Sequence, residues 1–290
     1  MAIMQEGKTQ NSRIKSILYL FRPNRTFMVA MITGTGAFAA GASVEVALWM
    51  TLGGWLLAVG GFSLDFYADR ELDLKGPRAR IRKNPLADGS IPPRSGLVFS
   101  LISLILSLIV IALFSIWSLV AWGVVIAIIL GLALHWFETP IGRAITLGGL
   151  QALYLLMGAS SGKISLGVIL IACMFFFAMF GGRGMIDIRD FSQDEVTPVK
   201  TWPKRYGIKR TAQISGFCLI FAYLFSFLAY LTGEFNIFYL YLDMIFIVSG
   251  LIFTFFFFYR PTPKLAEYFT MVYMMGQGTI ICLGVILGSF

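Results

Sequence analysis

Two stretches of the sequence carry carboxylates at helical spacing. "GGFSLDFYADRELD" places Asp65, Asp69 and Asp73 at i, i+4 and i+8, and "FGGRGMIDIRDFSQD" places Asp187, Asp190 and Asp194 at i, i+3 and i+7. If helix runs through each trio, its members lie along one face. Carboxylates stacked one turn apart repel, and at the C-terminal end of an apolar helix they also meet the negative end of the backbone dipole. One such trio reads equally well as a solvated helix end, but two in matching places call for a cation. Hard carboxylate oxygens without His or Cys suit Mg²⁺ or Ca²⁺ and not zinc, and two ions are expected between the trios. The runs that follow are basic: Arg70, Arg78, Arg80, Arg82 and Lys83 after the first, Lys200, Lys204 and Arg205 after the second. Acid beside base reads as a phosphate site, in which carboxylates hold Mg²⁺ and the cations hold the remaining oxygens.

The elements that must position these groups are membrane helices. Of 290 residues 58% are hydrophobic and 13% charged, and the mean hydropathy is +0.80, whereas soluble domains carry about 25% charged residues. Apolar runs near the length of a bilayer crossing recur at 27–44, 47–64, 96–114, 117–134, 144–161, 165–185, 211–232, 236–259 and 266–288. The expected fold class is therefore an all-α membrane protein of nine transmembrane helices. Of the 23 Lys and Arg, 22 fall on one side of these spans and Lys163 alone on the other. By the positive-inside rule the N-terminus and both acidic trios face the cytoplasm, and the C-terminus lies outside. The N-terminal "MAIMQEGKTQNSRIKSILYLFRPNR" has no small-residue cleavage site after a short apolar core and is not read as a removable signal.

The net charge of +8 sits in loops beside the membrane, where it serves topology and anionic lipid, so nucleic acid is excluded as a partner. Nothing in the sequence marks a protein partner. Cys173, Cys218 and Cys282 lie inside spans without paired or ligand spacing. Spans two and six run the same way, and each ends in a Gly pair followed by aspartates. Two four-helix pseudo-repeats plus one helix would bring the trios face to face across a central cavity. The chain then forms one domain, 1–290, with loops at about 65–95 and 187–210 capping the site.

These motifs resemble the UbiA superfamily of intramembrane prenyltransferases, in an archaeal-type form. Asp65, Asp69 and Asp73 match its NxxxDxxxD pattern after the second helix, with Asp65 where Asn is usual. Asp190 and Asp194 match its DxxxD after the sixth, Lys200 falls at its usual basic position, and Asp187 makes "DIRDFSQD" similar to the DxxDxxxD form. "NPLADGSI" resembles the "RPLPSGRI" segment. "TPIGRAIT" resembles "YPLKRxT", with Gly142 in place of Lys, Arg143 as its cation, and Phe137 and Thr139 where tyrosines are common. The loop between Asp73 and Asn84 is about four residues longer than the family's.

The resemblance implies transfer of an isoprenyl chain from its diphosphate to a polar acceptor, an aromatic or quinone precursor or geranylgeranylglyceryl phosphate. Mg²⁺, Arg143 and Lys200 would stabilise the leaving diphosphate. Asn24, before the first span, is placed to touch the acceptor or to start a helix. His135 has no partner at ligand spacing and reads as an interfacial residue. Asp243, toward the outer end of span eight, is either structural or part of an ion path. The rival function is a cation-coupled transporter using the repeated aspartates; phosphotransfer from a CDP-alcohol lacks its Gly and Ala-Arg spacing.

Overall fold

The structure, a computed structural model, describes residues 16–75, 84–137, 139–195, 200–270 and 274–290. Arg78, Arg80, Arg82 and Lys83, expected at the substrate, lie outside the described residues. The described chain is helical, without strands. In order, the helices are α1 Pro23–Ala39, α2 Val44–Lys75, α3 Pro93–Ala112, α4 Ile116–Ala133, α5 Pro140–Ala159, α6 Leu166–Arg189, α7 Phe191–Asp194, α8 Trp202–Leu231, α9 Ile237–Tyr259, α10 Pro263–Tyr268 and α11 Met274–Gly288.

Local sequence writes most of the starts. Pro stands in the first turn of α1, α3, α5 and α8, where its missing N–H costs nothing. Ser115, Thr139, Ser165 and Asn236 cap α4, α5, α6 and α9 by accepting from backbone N–H groups.

Seven helices, α2 to α6, α8 and α9 with the four-residue α7 set aside, are long and apolar enough to cross a bilayer, which with their outward-facing Leu, Ile and Phe makes this a multi-pass membrane protein. The first and ninth expected spans fall on shorter elements, α1 with 17 residues and α11 with 15. Within the expected 266–288 span, α10 ends at Tyr268, Phe269 and Thr270 continue in a π-helical turn, and α11 begins at Met274. Conversely, α2 has 32 residues, about 48 Å of helix against a core of about 30 Å. Its last turns, which carry the first trio, therefore project beyond the apolar layer.

Helices α1, α5, α6, α8, α9 and α11 each pack on the next, and α11 returns to α1; α2 packs on α1, α3, α4 and α5. Small residues allow close approach. A Cβ on Gly36 would strike the carbonyl of Leu155, and one on Gly158 that of Thr33, so the backbones of α1 and α5 touch there. On the other flank, Ser100 and Ser107 of α3 donate to the carbonyls of Gly60 and Gly53 in α2 at 2.7 and 2.8 Å. Thus α5 stands between α2 and α6, the two helices whose ends carry acid.

Candidate active site

Helix runs unbroken through the first trio, but its three carboxylates meet three different neighbours. A step of four residues advances about 40° around a helix, so Asp65, Asp69 and Asp73 fan out. Asp65 Oδ2 pairs with Arg22 Nη1 at 3.2 Å, Asp69 Oδ1 faces His135 Nε2 at 3.9 Å, and Asp73 Oδ2 accepts from Asn84 Nδ2 at 3.0 Å. Arg22 also lies 3.8 Å over the ring of Phe66.

Arg22 and His135 are the two non-glycine residues with positive φ among those described, at 45° and 59°. Left-handed backbone costs an ordinary side chain about 1 kcal/mol. Both residues that carry this strain reach a motif aspartate.

The second trio is divided by the end of its helix. Asp187 lies within α6, Asp190 is the C-cap, and Asp194 closes α7. Asp187 pairs with Arg183 one turn back at 2.5 Å and accepts from the backbone N–H of Trp202 at 3.2 Å. Trp202 Nε1 in turn donates to the carbonyl of Pro140 at 2.7 Å, fastening the start of α8 to that of α5. Arg189 holds Asp190 in a fork, Nε to Oδ1 at 2.7 Å and Nη2 to Oδ2 at 2.8 Å, and Nη1 reaches Thr270. Arg143, in the first turn of α5, is half-buried and acts on the charge of Asp187.

Burial sorts the six carboxylates. Asp65, Asp69 and Asp190 keep 39%, 22% and 29% of their side-chain surface open, whereas Asp73, Asp187 and Asp194 are 5%, 2% and 1% exposed as whole residues. No three acidic, His or Cys groups among the described residues stand together as a ready metal cage. A Mg²⁺ ion that shares substrate phosphate needs only one or two carboxylates, with phosphate oxygens and water completing its octahedron. The open set, hard oxygen throughout, fits that requirement.

The remaining expected residues lie at the same end of the bundle with different roles. Asn24 is exposed on the first turn of α1, and Arg22 is the member of "FRPNR" that reaches the motif. Arg70 turns along its own helix to the Tyr67 carbonyl and to Glu71. Lys200 is exposed just ahead of α8. The partners Arg22, Asn84, Arg183, Arg189 and Trp202 were not anticipated as site residues. Only Arg183, four before Asp187, and Arg189, beside Asp190, leave a local signal in sequence.

The profile of the UbiA prenyltransferase family matches residues 26–275. This chain belongs to that family. Among UbiA relatives, the digeranylgeranylglyceryl phosphate synthase of Halobacterium salinarum is 25% identical over 232 residues, 78% of this chain and 82% of that one. A protoheme IX farnesyltransferase of Roseiflexus sp. is 29% identical over 115 residues, 39% of this chain and 21% of the relative, so the match spans about a fifth of that protein. Two solved structures share the fold. One concerns the biosynthesis of digeranylgeranylglyceryl phosphate synthase in membranes (TM-score 0.76, 21% identity, 96% of this chain and 98% of the other). The other is a UbiA homologue from Archaeoglobus fulgidus bound to DMAPP and Mg²⁺ (TM-score 0.73, 20% identity, 93% and 96%).

Proposed function

We propose that this UbiA-family protein transfers an isoprenyl chain from a prenyl diphosphate to a polar acceptor and releases diphosphate, with Mg²⁺ required. The observation that carries this reading is the gathering of open carboxylates and Arg side chains at one end of an apolar bundle, Asp65 with Arg22 and Asp190 with Arg189. When bound, Mg²⁺ would supply positive charge to the oxygens of the diphosphate. Asp65, Asp69 and Asp190 would hold it, and the arginines they release would turn to the remaining phosphate oxygens. Arg143 and Lys200 add charge at the same end.

As the allylic C–O bond breaks, its electron pair leaves with the diphosphate. A nucleophilic oxygen or carbon of the acceptor then bonds to that carbon and gives up its proton. The prenyl tail lies among apolar helices, in keeping with the aromatic content of the bundle. The acceptor is geranylgeranylglyceryl phosphate or an aromatic precursor. Nine crossings in two pseudo-repeats, with the site on the cytoplasmic face, complete the proposal.

Purified protein in nanodiscs, given geranylgeranyl diphosphate and Mg²⁺, tests it against a panel of geranylgeranylglyceryl phosphate, 4-hydroxybenzoate and protoheme IX. Acceptor-dependent release of diphosphate that stops on chelation is expected. No release with any acceptor, together with cation uptake into vesicles, would favour transport instead.

A further inference from the structure

Each acidic motif has one carboxylate that the fold itself already uses. Asp73 accepts from Asn84 Nδ2, and Asn84 has no capacity to spare. Its Nδ2 also donates to the carbonyl of Phe66 at 2.8 Å, and its Oδ1 accepts from the N–H groups of Leu86 and Ala87 at 3.0 and 3.4 Å. Asn84 is 2% exposed, and beside it Leu86 packs on Leu20 and Phe66 in a small apolar cluster.

Asp187 is used in the same way. One oxygen takes the N–H of Trp202, and the other is ion-paired with Arg183 Nη2 but is buried without an aligned hydrogen bond. Trp202 is 2% exposed and anchored again at the carbonyl of Pro140. The plan is common to both motifs: a buried carboxylate bonds a buried residue from which the chain leads into the next long helix, Asn84 before α3 and Trp202 at the first position of α8. The intervening segments are residues 74–83 and 188–201. Nothing in the sequence spacing sets Asp73 apart from Asp69, yet the helical fan of the trio turns it from the open side toward Asn84.

Coordination of a metal would have to open these buried positions. Mg²⁺ demands near-octahedral geometry and keeps several waters, for which residues only 5% and 2% exposed leave no room in place. Drawing Asp187 to an ion would strand Arg183, whose Nε is already buried without a hydrogen-bond partner. We propose that Asp73 and Asp187 are positioning residues, each fastening the buried residue, Asn84 or Trp202, from which the chain enters the next long helix, and that they stand outside the cation's ligand set. This rests on the metal reading above and narrows it.

Mn²⁺ binding in the presence of geranylgeranyl diphosphate, followed by the paramagnetic resonance of free Mn²⁺, tests the assignment without needing an acceptor. Asp73→Asn keeps an oxygen for Asn84 and is expected to bind Mn²⁺ as the unaltered protein does. Asp69→Asn and Asp190→Asn lose about tenfold or more. To avoid a stranded cation, Asp187 is tested as Arg183→Gln/Asp187→Asn, with the same expectation as Asp73→Asn. Asn84→Ala, which removes no acid, weakens geranylgeranyl diphosphate binding as much as Asp73→Ala, and the two changes together are no worse than either. Loss of Mn²⁺ in Asp73→Asn equal to that in Asp69→Asn, with Asn84→Ala unaffected, overturns the proposal and leaves the metal site standing. If Asp69→Asn and Asp190→Asn also bind Mn²⁺ normally, the metal reading falls and this assignment with it.

Discussion

Asp69 and Asp190 are the motif carboxylates whose loss best separates chemistry from folding. Both are partly open, and both face a basic group that can exchange partners, His135 for Asp69 and Arg189 for Asp190. Asp69→Ala or Asp190→Ala should lower prenyl transfer by about a hundredfold or more while the unfolding temperature holds, since charge stabilisation at the leaving group is the main catalytic term. Full activity in either variant would remove it from the metal site. Lys200 is exposed, and exposed ion pairs contribute at most about 1 kcal/mol, so Lys200→Ala should raise the KM for prenyl diphosphate by no more than about fivefold. At this scale the spacing in the sequence singled out the six acids, but not what each one meets. Arg22 and Asp65 are 43 residues apart, so packing and not local pattern brings them together, whereas the positive φ of His135 is a local helix ending, with Trp136 N–H bonded back to the carbonyl of Gly131.

The helices were more legible than the contacts they make. Runs of apolar length and the caps Ser115, Thr139, Ser165 and Asn236 mark where most helices begin, and α3 to α6 start within a few residues of the expected spans. The departures have identifiable causes. Helix α2 extends to Lys75 because nothing in "DFYADRELDLK" breaks helix, so polarity ends the span without ending the helix. Helix α8 begins at Trp202, ahead of the expected 211, and passes a break at Gly207 with φ 78° that glycine alone adopts without cost. The Gly and small residues of α5 are what let it meet α1 backbone to backbone. That crossing gives a prediction for an element pair. Gly158→Ala places a methyl against the carbonyl of Thr33, which cannot move as a side chain tip could. Overpacking of this kind costs about 1–3 kcal/mol, so the variant should unfold at a lower temperature, whereas Gly149→Ala, with open space at its Cβ, should not.

At the scale of the whole molecule, the end opposite the acidic motifs is stitched by hydrogen bonds between helix ends. The N–H of Lys163 donates to the carbonyl of Ala40 at 2.9 Å, Glu234 takes the hydroxyl of Ser165 and the N–H of Gly167, and Asn236 bonds the carbonyls of Leu287 and Gly288. The C-terminus of α11 therefore lies level with Lys163, while Thr270, before α11, bonds Arg189 at the motif end. Helix α11 alone is about 22 Å long, short of a hydrocarbon core of about 30 Å, so the proposed ninth crossing is taken to run from Thr270 to the end of α11. The distribution of Lys and Arg then predicts sidedness. In a variant with Cys173, Cys218 and Cys282 replaced by Ala, a membrane-impermeant maleimide added to intact cells should label Lys163→Cys and Ser289→Cys, and should label Lys200→Cys only after lysis. Labelling of Ser289→Cys together with Lys200→Cys would place the C-terminus on the motif side and break the ninth crossing. Labelling of Lys200→Cys alone in intact cells would invert the protein, and prenyl diphosphate made in the cytoplasm could then not reach the motifs.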